Sequence, residues 1–130
     1  MIGIRNFTNW EISEKQLMGL AELVLKKEKK KDKDLSVVFV GQGKMREFNK
    51  SYRGKDEATN VLSFPGGEFS LGEIVLCPSV IKKDALEYKI SFQGAISWMF
   101  VHGLLHLLGY DHKTAKAGKA MSQKEQRYLS

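Results

Sequence analysis

The chain has 130 residues, of which 42% are hydrophobic and only two are proline. This excludes a disordered chain and suits one domain, residues 1–130, with one real core. A single cysteine excludes an intrachain disulfide, and 21 Lys and Arg against 15 Asp and Glu leave a charge of +6, which favours anionic partners, nucleic acid first. The cysteine usage fits a reducing compartment, with cytoplasm the simplest expectation, and the opening MIGIRNFTNW lacks the basic-then-apolar pattern of a secretion signal.

Residues 2–7 alternate Ile2 and Ile4 with Gly3 and Arg5, a short strand signal. Ser13 with Gln16 makes a capping box, and Leu17, Leu20, Ala21 and Val24 mark one face of a helix expected to run to about Lys30. Lysines fill its last turn and the charged turn beyond it. Lysines at a helix end suit the negative end of the helix dipole, so this run is read as a solvated terminus before a binding patch. Residues 35–40 (LSVVFV) form a β-branched run expected as a buried strand, closed by Gly41 and Gly43. Met45, Phe48 and Tyr52 then recur at helical spacing over residues 44–52, a pattern expected of core packing. Arg53 follows and, by itself, is one more surface arginine.

After a polar loop, residues 59–64 (TNVLSF) are expected as a strand stopped by Pro65, Gly66 and Gly67, and residues 72–77 as the next strand, extendable through 69–71. With so short a connection the two are expected to pair antiparallel. Pro78 suits the first turn of a helix reaching about Lys89. A further helix starts near Ser91. The small, basic stretch 113–120 (KTAKAGKA) is read as a mobile loop, and Met121, Glu125 and Leu129 share the spacing of a last helix.

The chemistry concentrates in residues 92–112, FQGAISWMFVHGLLHLLGYDH, which hold all three histidines of the chain. A helix apolar all round belongs inside a domain, and this one is too short and too interrupted for a membrane span. His102 and His106, four residues apart, project from one face of it. Gly109 can end the helix with positive φ, so the chain can return His112 to the same side. Three imidazoles suit one zinc ion with a position left for water, the arrangement of a catalytic site; nickel, copper, cobalt or iron also accept imidazole. A structural zinc would need a fourth protein ligand, which only Cys77 could supply as a thiolate. The spacing matches the metzincin protease pattern, but Gly103 stands where the general-base glutamate would be, so the metal cage is kept and the peptidase base is missing.

The segment HGLLHLLGYDH resembles the signature of the YbeY-type endoribonucleases, the rRNA maturation factors of bacteria and organelles, and residues 49–65 (NKSYRGKDEATNVLSFP) resemble that family's other block. The resemblance implies an α+β, zincin-like fold, with a mixed sheet of about four strands and the metal helix buried against it. It implies zinc held by His102, His106 and His112, and Arg53 as the arginine beside the metal, whose planar donor fork suits a phosphodiester. It implies a single-strand-specific endoribonuclease using a zinc-activated water in maturation of small-subunit rRNA and in ribosome quality control, with single-stranded RNA and the small ribosomal subunit as partners and no membrane. Two departures stand out. Glu73 replaces the family's aspartate and is left outside the catalytic set, and the stretch after His112 is basic where relatives are more acidic. Asp111, beside His112, is expected to orient an imidazole before it would serve as a base. A metal-dependent peptidase and a non-catalytic, zinc-stabilised assembly or RNA-binding factor remain as rivals.

Overall fold

A computed structural model describes residues 1–130. The β-branched run falls in β2 (Asp34–Phe39), an interior strand of a four-stranded sheet. The sheet order is β1 (Ile2–Asn6), β2, β4 (Ser70–Leu76), β3 (Val61–Pro65). β1, β2 and β4 are parallel, and β3 pairs antiparallel with β4, Val61 opposite Leu76 and Pro65 opposite Gly72. β3 therefore forms one edge. Gly72 takes φ 129°, and a Cβ there would lie 2.0 Å from the Phe64 carbonyl oxygen, so the close approach of the two strands requires glycine.

Side chains alternate across the sheet. Leu35, Val37, Phe39, Ile74 and Leu76 join the main core with α1 (Glu14–Lys27), α3 (Pro78–Tyr88), α4 (Phe92–Leu107) and α5 (Ala115–Leu129). Leu62 and Val75 face the other way, packing with Met45 of α2 (Gln42–Arg53), Val40 and Cys77. α4 packs on β3 and β4 and is flanked by α1, α3 and α5, which is why it is apolar round its circumference. Phe100, Val101, Leu104 and Leu105 are all fully buried. The helix is too short to cross a membrane, as are all the others.

Three expectations change. α1 ends at Lys27, not near Lys30: Lys29 takes φ 60°, Lys29 N donates to Lys26 O and Lys30 N to Leu25 O, a Schellman closure made with lysine in place of glycine. The lysine run therefore lies mostly beyond the helix. The capping box at Ser13 is made on one side only, its hydroxyl accepting from Gln16 N at 3.3 Å. The stretch 113–120, expected as a mobile loop, is largely helical: α5 starts at Ala115 behind Thr114, whose hydroxyl accepts from Ala117 N at 3.0 Å. The cap and the alanines at 115, 117 and 120 favour helix, and Gly118 leaves room for His112, whose Cβ would lie 3.5 Å from a Cβ placed there.

Candidate metal centre

Ser91 opens α4, its hydroxyl accepting from Gly94 N at 3.0 Å. The helix stays regular to Leu107, so His102 and His106 leave it one turn apart on one side. Gly109, with φ 101°, then closes it: Gly109 N donates to His106 O and Tyr110 N to Leu105 O. Three residues on, His112 has returned. The ring centroids lie 4.7 Å (His102–His106), 5.9 Å (His102–His112) and 5.3 Å (His106–His112) apart. One ligand nitrogen from each histidine falls within 4.8 Å of the others, with His102 and His106 half-buried and His112 exposed.

The donor set fits a divalent metal. Nε2 of His102 and Nε2 of His106 are 3.2 Å apart, close to the roughly 3.3 Å that tetrahedral zinc at its usual bond lengths asks of two ligand nitrogens. His102 is fixed from behind. Its Nδ1 lies 2.7 Å from Glu125 Oε1, while Glu125 Oε2 accepts from Trp98 Nε1 at 3.0 Å. A carboxylate on Nδ1 keeps the proton there and leaves the Nε2 lone pair for a metal. His106 is held below the ordinary imidazole pKa, first by burial and then by the neighbouring His102 and His112, against the smaller opposing pull of Asp111 and Glu125. It therefore favours the neutral, ligating form.

The orienting role expected of Asp111 falls to Glu125. Asp111 Oδ1 instead accepts from Lys113 N at 3.0 Å, shaping the turn that carries His112. In the sequence Glu125 was visible only as part of a helical spacing. It lies 23 residues from His102, and no local pattern links the two.

Gly103 also acquires a reason. A Cβ there would stand 3.0 Å from Ile74 Cγ2 and 3.1 Å from both Ser63 Oγ and Val61 Cγ2. Its carbonyl accepts from Ser63 Oγ at 2.8 Å. The helix rests on the sheet here, and any side chain at 103 would require these neighbours to give way.

Arg53 ends α2 and shares a cleft with the histidines. Both line one cleft of about 490 Å3, together with Tyr52, Asn60, Val61, Ser63 and Leu107. No carboxylate lines this cleft. A larger groove of about 700 Å3 between α1, α4 and α5 is lined by no histidine, cysteine or carboxylate. Glu73 is remote from the metal centre: its carboxylate accepts from Ser36 Oγ at 3.2 Å, and it lines a hollow with Val38, Val40 and Phe48 on the opposite face of the sheet. Cys77 is fully buried on that same side, among Val40, Met45 and Val75, and is no fourth ligand.

The sequence matches the family model described as Endoribonuclease YbeY over residues 4–130. It is 45% identical over 98 residues to Endoribonuclease YbeY of Bdellovibrio bacteriovorus, a match covering 72% of this chain and 63% of that protein, just under two thirds of the relative's length. It is 37% identical over 131 residues to Endoribonuclease YbeY of Vesicomyosocius okutanii, covering 96% and 90% of the two chains. The solution structure of TM1509 from Thermotoga maritima is similar with a TM-score of 0.75 at 34% identity, covering 99% of this chain and 87% of that one. A family match over nearly the whole length, on a fold that gathers the three histidines of the signature, means that this chain belongs to the YbeY family.

Proposed function

We propose that this chain is a metal-dependent endoribonuclease, a hydrolase of phosphodiesters in single-stranded RNA. On this reading residues 1–130 act as one domain in the cytoplasm, on the RNA of the small ribosomal subunit, in its maturation and quality control. The observation that carries the reading is the convergence of three imidazoles and Arg53 on one cleft in a member of this family.

His102, His106 and His112 would hold one zinc ion. Bound there, zinc supplies Lewis-acid charge and an acidified water near neutral pH. The chain's own residues do the rest. Glu125 keeps the His102 proton on Nδ1 and the ring in place. Arg53 offers a planar fork of N–H donors to the phosphate and to the charge that builds on its oxygens during cleavage. No carboxylate lines the cleft itself, and Asp111 and Glu125 act on the imidazoles from beside it. The missing glutamate at Gly103 argues against a peptidase, and the burial of Cys77 on the far side of the sheet argues against a closed structural zinc site.

Cleavage of a labelled single-stranded RNA by purified protein, with His106→Ala purified in parallel, tests the proposal. The expected result is cleavage by the wild type alone, with the variant folded and depleted of metal. Equal cleavage by both, or by neither, overturns it.

A further inference from the structure

We infer that Tyr52 and the open edge of β3 form a nucleobase site beside Arg53, in which a base of single-stranded RNA stacks on the Tyr52 ring and meets free backbone groups of Val61 and Ser63. This rests on the ribonuclease reading above and names how that site would recognise its substrate.

Three observations carry it. The first is an aromatic left open where a core residue was expected: Tyr52 is 51% exposed. Its ring is nevertheless held, tilted 57° against Phe64 at 4.5 Å between centroids, and Phe64 is itself met edge-on by Phe48. A supported aromatic with an open face is the platform on which bases of single strands stack, whatever their identity.

The second is its place. Tyr52 lines the same cleft as Arg53 and the three histidines, with Val61 and Leu107 supplying apolar surface. An arginine for the phosphate beside a flat apolar surface for the base matches the two halves of a nucleotide.

The third is the strand edge. Cys77 N donates to Asn60 O at 2.9 Å and Gly66 N to Leu71 O at 3.0 Å, with Leu62 opposite Val75 and Phe64 opposite Glu73. In an antiparallel ladder bonded pairs alternate with non-bonded ones. Val61, Ser63 and Pro65 therefore turn their backbone groups away from β4, toward the cleft they line. Val61 and Ser63 each offer one donor and one acceptor, and Pro65 a carbonyl only. Such groups match the hydrogen-bonding edge of an unpaired base. A base within a duplex presents neither its face nor that edge, so the site demands an unpaired nucleotide.

Binding of a fluorescent, cleavage-resistant 2′-O-methyl single strand to the zinc-loaded protein tests this. Tyr52→Ala should weaken binding about 5- to 150-fold, the range that loss of one base stack predicts, while Tyr52→Phe and Tyr52→Trp keep it. Oligonucleotides with one abasic position, moved along the strand, should reveal a position that costs the wild type the same factor and costs Tyr52→Ala nothing further. The Val61 and Ser63 amide resonances should shift on titration with the intact strand. Wild-type affinity in Tyr52→Ala, an abasic penalty equal in both proteins, or unmoved amides would overturn the base site while leaving the ribonuclease reading intact. No binding of any single strand by the wild type would remove both.

Discussion

Glu125 bears on the metal more directly than its distance along the chain suggests. One carboxylate oxygen meets His102 and the other meets Trp98, so the residue fixes both a tautomer and a ring plane. Glu125→Ala should lower zinc affinity by about 10- to 100-fold, as loss of such partners usually does. Glu125→Gln should fall between the two, because its amide has one acceptor oxygen for two N–H donors. Competition against a chromophoric chelator measures both, and unchanged affinity in Glu125→Ala would remove the residue from the site. Arg53 predicts the opposite pattern. Arg53→Ala should leave zinc content unchanged and reduce RNA cleavage by about 100-fold or more, the scale of a lost transition-state donor. Arg53→Lys should recover little, since an ammonium lacks the planar fork.

Among the elements, α4 sets the geometry and Gly103 sets its height above the sheet. Three atoms stand within about a van der Waals contact of the missing Cβ, two of them methyls of β-branched side chains. Glycine is a poor helix former by about 1 kcal/mol, so its presence in mid-helix marks a packing requirement. Gly103→Glu, which would complete the protease pattern, should create no peptidase. It should destabilise the fold by about 3 kcal/mol, at the upper end of overpacking costs, and weaken metal binding as the helix is displaced. Urea unfolding together with zinc titration checks this; a stable, zinc-loaded Gly103→Glu protein would show that the close packing is not limiting. The histidine spacing showed that the glutamate was missing, but the sheet beneath it explains why.

For the molecule as a whole, Glu28 ties distant parts of the chain together. It accepts from Tyr110 Oη at 2.9 Å, from Lys124 Nζ at 3.1 Å and from the Tyr128 hydroxyl. The end of α1 is thereby joined to α5 and to the turn that delivers His112. Burial pushes Glu28 up, but the hydrogen bonds from Tyr128, Lys124 and Tyr110 together bring it below the ordinary carboxylate value. A carboxylate lowered on folding contributes stability above its unfolded pKa, about 4.3, and loses it as pH falls through the folded value. Tyr110 and Tyr128 are raised, first by burial and then by Glu28. Their contribution is complete below about 10 and is lost at higher pH. Stability should therefore fall on both the acid and the alkaline side, and Glu28→Gln should flatten both slopes in urea unfolding followed from pH 3 to 11. An unchanged pH profile would mean that this network is energetically silent.

What could be read from the sequence was whatever helix and strand periods encode. The i, i+4 histidines, the glycine stop and the third histidine follow from helix geometry, and the order of strands and helices follows from runs of β-branched and apolar residues. The same local signals failed where composition misled: a capped, alanine-rich turn at residues 115–120 looked like a loop because it was small and basic. Tertiary structure alone decided the pairings between distant elements. It brought Glu125 to His102, turned Glu73 and Cys77 to the far face of the sheet, and set Tyr52 and Arg53 in one cleft with the imidazoles. These relations depend on which faces meet when the core closes, and the repeat of a single helix or strand carries no information about its partner.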